Sequence, residues 1–254
     1  MRWWNNKYLW LFFIGLFLFI NANSAKVNAA SILGKDKVSK IIIVFVDMSG
    51  STNKARKSVY KNAFDMIYKS LDQGDRIVVG TITSHSYIDF KPKVDEEIPE
   101  KSVWLNRLKY EQHLANTKKK IQEGVDQLFN YKYGTQQTEI LNSLNIADTI
   151  FHGEKKRKKI LVLLSDMIQD SKEYKFEKVK ITNKYIATII KNRTGQKLIP
   201  NLSNVKIYVA GATAANSKKF RAIQLLWTRY FDASGADFST HRYGHSLLEF
   251  EKDS

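Results

Sequence analysis

The chain has 254 residues, with 41 Lys+Arg against 25 Asp+Glu and a formal net charge of +16. It contains no cysteine, which excludes disulfide scaffolds, thiolate zinc sites and cysteine nucleophiles together. At 43% hydrophobic and 26% charged residues the composition is globular, not disordered, collagen-like or coiled-coil, and the length suffices for one full α/β domain or two very small ones.

The chain opens on a targeting segment. Arg2 and Lys7 flank a short polar start, and Tyr8 to Ile20 is an unbroken apolar run, YLWLFFIGLFLFI. Its thirteen residues fall short of the ~20 that a spanning helix needs. The small residues in NANSAKVNAAS then offer cleavage after Ser24 or after Ala29, the order of a secretory signal. Residues 1–29 are therefore predicted as a signal peptide, with an uncleaved N-terminal anchor as the alternative. The protein is expected to be exported, to the periplasm, the cell envelope or the extracellular space. Cleavage after Ser24 removes Arg2 and Lys7 and no acid, which lowers the charge from +16 to +14.

After a polar lead-in at 31–39, Lys40 to Asp47 (KIIIVFVD) is a continuous β-branched run, the pattern of a strand buried on both faces. Val59, Ala63, Met66, Ile67 and Leu71 then recur at helical spacing within Asn53 to Gln73. LDQGD ends that helix, and Arg76 to Thr83 is a second buried strand. SYIDFKP (86–92), alternating and bounded by Pro92, is predicted as an edge strand. A long helix over 102–129, weakly interrupted by Gly124, and another from Thr138 to Phe151 lead to a third buried strand, ILVLLSD, ending at Asp166. Residues 167–182 read as polar and irregular, and Lys184 to Lys191 as helical. Val205 to Ala210 is a fourth buried strand. Phe220, Ile223, Leu226, Trp227, Tyr230 and Phe231 stripe a final amphipathic helix before a last short strand within 236–250.

Strands alternating with helices imply βαβ units. Right-handed crossovers then make the expected architecture an α/β, doubly wound, Rossmann-like, mainly parallel sheet with one antiparallel edge strand and helices on both faces. One domain is expected over 38–250.

The chemistry concentrates in Asp47-Met48-Ser49-Gly50-Ser51-Thr52, directly after the first buried strand. In a doubly wound sheet, ligands bind outside the carboxyl ends of the strands at the switch point. Asp47 and its two serines lie at such an end, and so does Asp166. Two carboxylates and several hydroxyls, with no His or Cys nearby, form a hard-oxygen set suited to Mg²⁺ or Mn²⁺, with Ca²⁺ a further candidate. The more ordinary reading of Asp and Ser after a strand is a cap for the following helix.

These residues resemble the von Willebrand factor type A (vWA) domain family. The likeness rests on DxSxS at Asp47, Ser49 and Ser51, a threonine before the third helix, Asp166 ending the third buried strand of this chain, and LDQGDRIVVGTIT as a helix-to-strand passage. It covers 38–250 in element order. In that family the five positions build a metal-ion-dependent adhesion site. The resemblance implies that Ser49, Ser51 and Thr138 offer hydroxyl oxygens to the metal, that Asp47 and Asp166 act through bound water, and that an Asp or Glu of a protein partner takes the remaining position. Thr135, also in YGTQQTEIL, is the alternative to Thr138. Asp166 is followed by Met167 and Ile168 where the family often has glycine, which puts the geometry of that loop in question.

Catalysis finds little support. A haloacid dehalogenase pattern needs a second Asp two residues after the first, and here Ser49 stands there, a group that does not titrate usefully near pH 7. No phosphate-binding glycine loop is present. The histidines His85, His113, His152, His241 and His245 are scattered, and His241 with His245 reads as a surface turn. The basic run Lys155 to Lys159 precedes the strand ending in Asp166, so it is expected at the opposite side of the domain from the crevice. There it can contact an anionic membrane surface, whereas no base-reading motif supports specific nucleic-acid recognition. The competing functional class is a metal-independent structural component of an envelope or secretion assembly.

Overall fold

The first strand organises everything that follows. β1 (Lys40–Asp47) is buried along its whole length, as its β-branched run requires. It lies between two parallel neighbours, β2 (Arg76–Ile82) and β4 (Lys158–Leu164), with Val44 opposite Val79 on one side and Val162 on the other. The computed structural model describes residues 38–49, 53–83, 90–101, 106–131 and 137–251. The expected signal peptide, Ser51, Thr135, His85 and residues 86–89 lie outside them. Ser39–Ser254 form one compact unit. Among the described residues no helix is long and apolar enough to cross a membrane.

Among the described residues the sheet has six strands in the order β3-β2-β1-β4-β5-β6. β5 (Val205–Ala210) and β6 (Asp237–Gly244) continue the parallel set, while β3 (Val94–Glu97) runs antiparallel to β2 at one edge. This is the doubly wound, mainly parallel sheet with one antiparallel edge strand that the alternation of patterns implies. The antiparallel edge strand found is Val94–Glu97; of the expected 86–92, residues 86–89 lie outside the described residues. Phe90, Lys91 and Pro92 are not in a strand, and the ladder starts where the Lys93 N–H donates to the Val79 carbonyl at 2.8 Å. Pro92 has no N–H to give, and Phe90 instead packs edge-on against Phe45 with ring centroids 5.6 Å apart.

Alternate residues of β1 face opposite sides, and each side builds its own core. Ile42, Val44 and Val46 pack with α1 (Lys54–Lys69) and α2 (Arg107–Asn130). Ile41, Ile43 and Phe45 pack with α3 (Ile140–His152), α4 (Asn183–Gly195) and α5 (Ser217–Ala233). Gly124 does not interrupt α2. A Cβ there would come within 2.6 Å of Val94 and 2.8 Å of the Lys93 carbonyl, so glycine lets the helix lie against β3.

Residues 167–182 carry no helix and no named strand, as expected, but they are not simply polar. Met167, Tyr174 and Phe176 are buried in the core, and Phe176 packs on Trp227 of α5 with centroids 5.9 Å apart. Isolated apolar residues spaced by lysines and glutamates have no periodicity to mark them as core. His241 lies within β6 and His245 follows it, in place of the expected turn. Both are exposed, and residues four apart in a strand are about 13 Å apart.

Candidate functional site

β1 and β4 are adjacent, and from β1 the chain first winds one way through β2 and β3, then returns to wind the other way through β4, β5 and β6. Their carboxyl ends therefore form the switch point, where such sheets bind ligands. Asp47 ends β1, fully buried. Its Oδ1 accepts the Ser49 N–H at 3.0 Å, and its Oδ2 accepts the Ser165 hydroxyl at 3.0 Å. Burial raises the Asp47 carboxyl above the usual range, against the pull of the Ser49 and Ser165 hydrogen bonds and of the Arg56 charge.

Asp166 lies two residues beyond β4 and is also buried. Its Oδ1 accepts the Ile168 N–H at 2.9 Å, and its Oδ2 accepts Arg56 Nη1 at 2.8 Å. Burial, and then the charge of Asp47, push its carboxyl up to about 6 in spite of that arginine. Met167, standing where glycine is frequent in the vWA family, takes φ = 64°. A left-handed conformation costs a side-chain-bearing residue about 1–2 kcal/mol. It is offset by three contacts: the Met167 N–H donates to Ser165 Oγ at 3.0 Å, its carbonyl accepts Trp227 Nε1 at 2.9 Å, and its side chain is fully buried.

Thr138 is pinned to the same loop. Its N–H donates to the Asp170 carbonyl at 2.8 Å, and the Asp170 N–H donates back at 3.0 Å. Glu139 makes no side-chain cap for α3, and Gln169 Oε1 does so from the loop by accepting the Leu141 N–H at 3.1 Å. Ser49, Thr138 and Asp166 thus line one cleft of about 590 Å³, together with Arg56, Asp170 and Lys175. Four of the five expected site residues come together around the switch point. The fifth, Ser51, lies outside the described residues, as does Thr135.

The fold is von Willebrand A-like. No protein-family model matches the chain, and no curated protein matches it in sequence. Among solved structures it is similar to a von Willebrand factor type A protein from Catenulispora acidiphila, at 15% identity over 78% of this chain with a TM-score of 0.36. It is also similar to proximal thread matrix protein 1 from the mussel byssus with a zinc-occupied MIDAS motif, at 16% identity over 78% with a TM-score of 0.40. A third is the manganese-loaded TRAP protein of Plasmodium vivax, at 14% identity over 73% with a TM-score of 0.41. The chain spans 42%, 48% and 62% of those three chains respectively.

Two further features of the cleft were not legible as pattern. Tyr60 is fully buried, its hydroxyl has no hydrogen-bond partner among the described residues, and burial followed by the charges of Asp47 and Asp166 raises its pKa. Its ring packs against Gly211 (φ = 98°), where a Cβ would stand 2.5 Å away. Arg56 is the second. The first turn of α1 carries Lys54, Arg56 and Lys57 and no acid, against the usual preference for negative charge at a helix N-terminus. That inversion is the one sequence signal for an anion facing α1, and Asp166 is that anion. Ser165 and Gln169 gave no signal, since each acts through one long-range hydrogen bond.

Proposed function

We propose that the cleft is a metal-ion-dependent adhesion site of an exported protein-binding domain. The observation that carries this reading is the convergence of Ser49, Thr138 and Asp166 on one cleft above the buried Asp47. In this reading Ser49, Thr138 and Ser51 offer hydroxyl oxygens, Asp47 and Asp166 act through bound water, and an Asp or Glu of a protein partner binds last. Among the described residues no group of three or more His, Cys, Asp or Glu could hold a metal ion. The donor set is therefore hydroxyls with two carboxylates, which suits Mg²⁺ in the first place, and Mn²⁺ or Ca²⁺.

The residues fit such a cation in two respects. An orphaned buried hydroxyl costs about 1–3 kcal/mol, and the Tyr60 hydroxyl, in the field of both carboxylates and without a partner among the described residues, would gain one from water held at the site. Burial also raises both carboxyls, so the site gains from any cation that stabilises their charged forms. When bound, the ion supplies Lewis acidity toward the partner carboxylate. The chain's part is to hold Asp47 through Ser49 and Ser165, and Thr138 through Asp170. The site is read as a binding site and not a catalytic one.

The second reading is a metal-independent structural component, favoured by the Arg56 guanidinium, which already pairs with Asp166. Titration of the full chain with MnCl₂ or MgCl₂, and capture of envelope proteins with and without chelator, separate the two. Metal binding lost in Asp47→Ala and Ser49→Ala, with capture abolished by chelator, is the expected result. Equal capture in chelator overturns the metal mechanism.

A further inference from the structure

At the far edge of the sheet from Asp47 and Asp166, β4 begins beside the start of β1. Lys40 pairs with Lys158, and the Lys158 N–H donates to the Ser39 carbonyl at 3.0 Å. The turn ahead of β4 and the first residues of that strand present Lys155, Lys156 and Lys158 exposed and Lys159 half-buried. With His152 and Lys206 the turn borders a second cleft of about 640 Å³.

Acids line this cleft too, but each is already engaged. Glu154 accepts Arg76 Nη1 at 2.7 Å and Arg157 Nη1 at 3.2 Å. Glu251 accepts Lys206 Nζ and the Tyr208 hydroxyl, both at 2.9 Å, and Asp237 pairs with Arg242. Arg157 is held further by Glu97 and the Gly74 carbonyl. Once these pairs cancel, the charge left facing outward is that of Lys155, Lys156, Lys158 and Lys159.

The occupant is indicated by where the chain enters. Ser39 and Lys40 stand at this same edge, and residues 21–38 alone join them to the apolar run Tyr8–Ile20. The outward positive charge complements anionic headgroups, and in the alternative that keeps Tyr8–Ile20 as an uncleaved anchor the domain is tethered at this edge. We propose that the Lys155–Lys159 turn is a docking surface for a bilayer carrying anionic headgroups. It lays the amino-end edge of the sheet on the lipid and turns the Asp47–Asp166 cleft, about 25 Å away along β1 and β4, toward the solution. The lipid phosphates meet unpaired lysines, each strengthening attachment about five-fold. The orientation leaves the adhesion cleft open to partners and does not depend on metal.

The absence of native cysteine allows a direct test. The full chain carrying Lys156→Cys, labelled with a fluorophore, is reconstituted into phosphatidylcholine vesicles with or without about one third phosphatidylglycerol and a headgroup spin-label quencher. Lys178→Cys, on the cleft side, is the control. The expected result is strong quenching at position 156 and little at 178, only in the anionic vesicles and abolished by about 1 M NaCl. Lys155→Gln with Lys158→Gln, both at exposed positions, is expected to lower that quenching at least five-fold with an unchanged circular dichroism spectrum. Equal quenching without anionic lipid, stronger quenching at 178, or full quenching in the double variant overturns the proposal. Tight capture of heparin at position 156 with no quenching in either vesicle overturns it in favour of a soluble polyanion.

Discussion

Arg56 Nη1 lies 2.8 Å from Asp166 Oδ2, with both side chains largely buried at 17% and 7% exposure, and this pair joins the first turn of α1 to the loop after β4. A cation is therefore built into the cleft, on one of the two carboxylates proposed to serve the metal. Any ion using Asp166 competes with this guanidinium or shares the carboxylate with it.

Arg56→Gln should tighten Mn²⁺ binding about ten-fold at pH 8, since it removes a like charge from the cation's site; that corresponds to ~1.4 kcal/mol. The metal-free variant should at the same time lose about 1–3 kcal/mol of stability, because Asp166 keeps its burial without its partner. Calorimetric titration and urea unfolding in chelator measure the two effects. Weaker metal binding in the variant would mean that Arg56 supports the site.

The Asp166 carboxyl, raised to about 6 by burial and by Asp47, fixes the sign of a pH dependence. Between about pH 4 and 6 the folded state holds a proton on this group that the unfolded state has released, so its contribution to stability falls as pH rises through that window. Asp166→Asn is insensitive to this and should gain on wild type by about 1.4 kcal/mol between pH 5 and pH 8 in chelator. Metal affinity of wild type should move the other way and weaken as pH falls through 6, the value to which the carboxyl is raised. A constant difference between the two proteins across pH 5–8 would contradict the assignment.

Met167 carries a backbone conformation that favours glycine and a side chain that fills core. Both Met167→Gly and Met167→Ala should destabilise, by about 2–5 kcal/mol for the alanine. Glycine should be the milder of the two by about 1 kcal/mol, because it relieves the left-handed strain that alanine retains. Chemical denaturation of the two variants gives the order directly.

Partner choice should reside in the exposed positions of the loop after Asp166. Exchanging all of 168–180 would remove Gln169, Tyr174 and Phe176, which are buried, and Phe176→Ala alone should cost about 3–5 kcal/mol. Lys175→Glu with Lys178→Glu instead changes exposed residues lining the cleft. Capture of an acidic partner should drop at least ten-fold while Mn²⁺ affinity stays within about three-fold. An unaltered partner profile would place recognition elsewhere.

By itself the sequence determined the order of elements, the parallel sheet with its antiparallel edge, and the position of Asp47 and Ser49 after the first strand. Those follow from local pattern: β-branched runs such as Ile41–Val46 and stripes such as Ile223–Phe231 declare their period within a few residues. The tertiary structure decided what local pattern does not encode. Arg56 meets Asp166 across 110 residues, Ser165 meets Asp47 across 118, and Gln169 caps α3 across 28. The buried Met167, Tyr174 and Phe176 belong with these, since each was set by space available beside another element. A hydrogen bond or ion pair formed through space leaves no periodicity in the chain, and so the charge already present in the cleft became visible only once the sheet had brought α1 and the loop after β4 together.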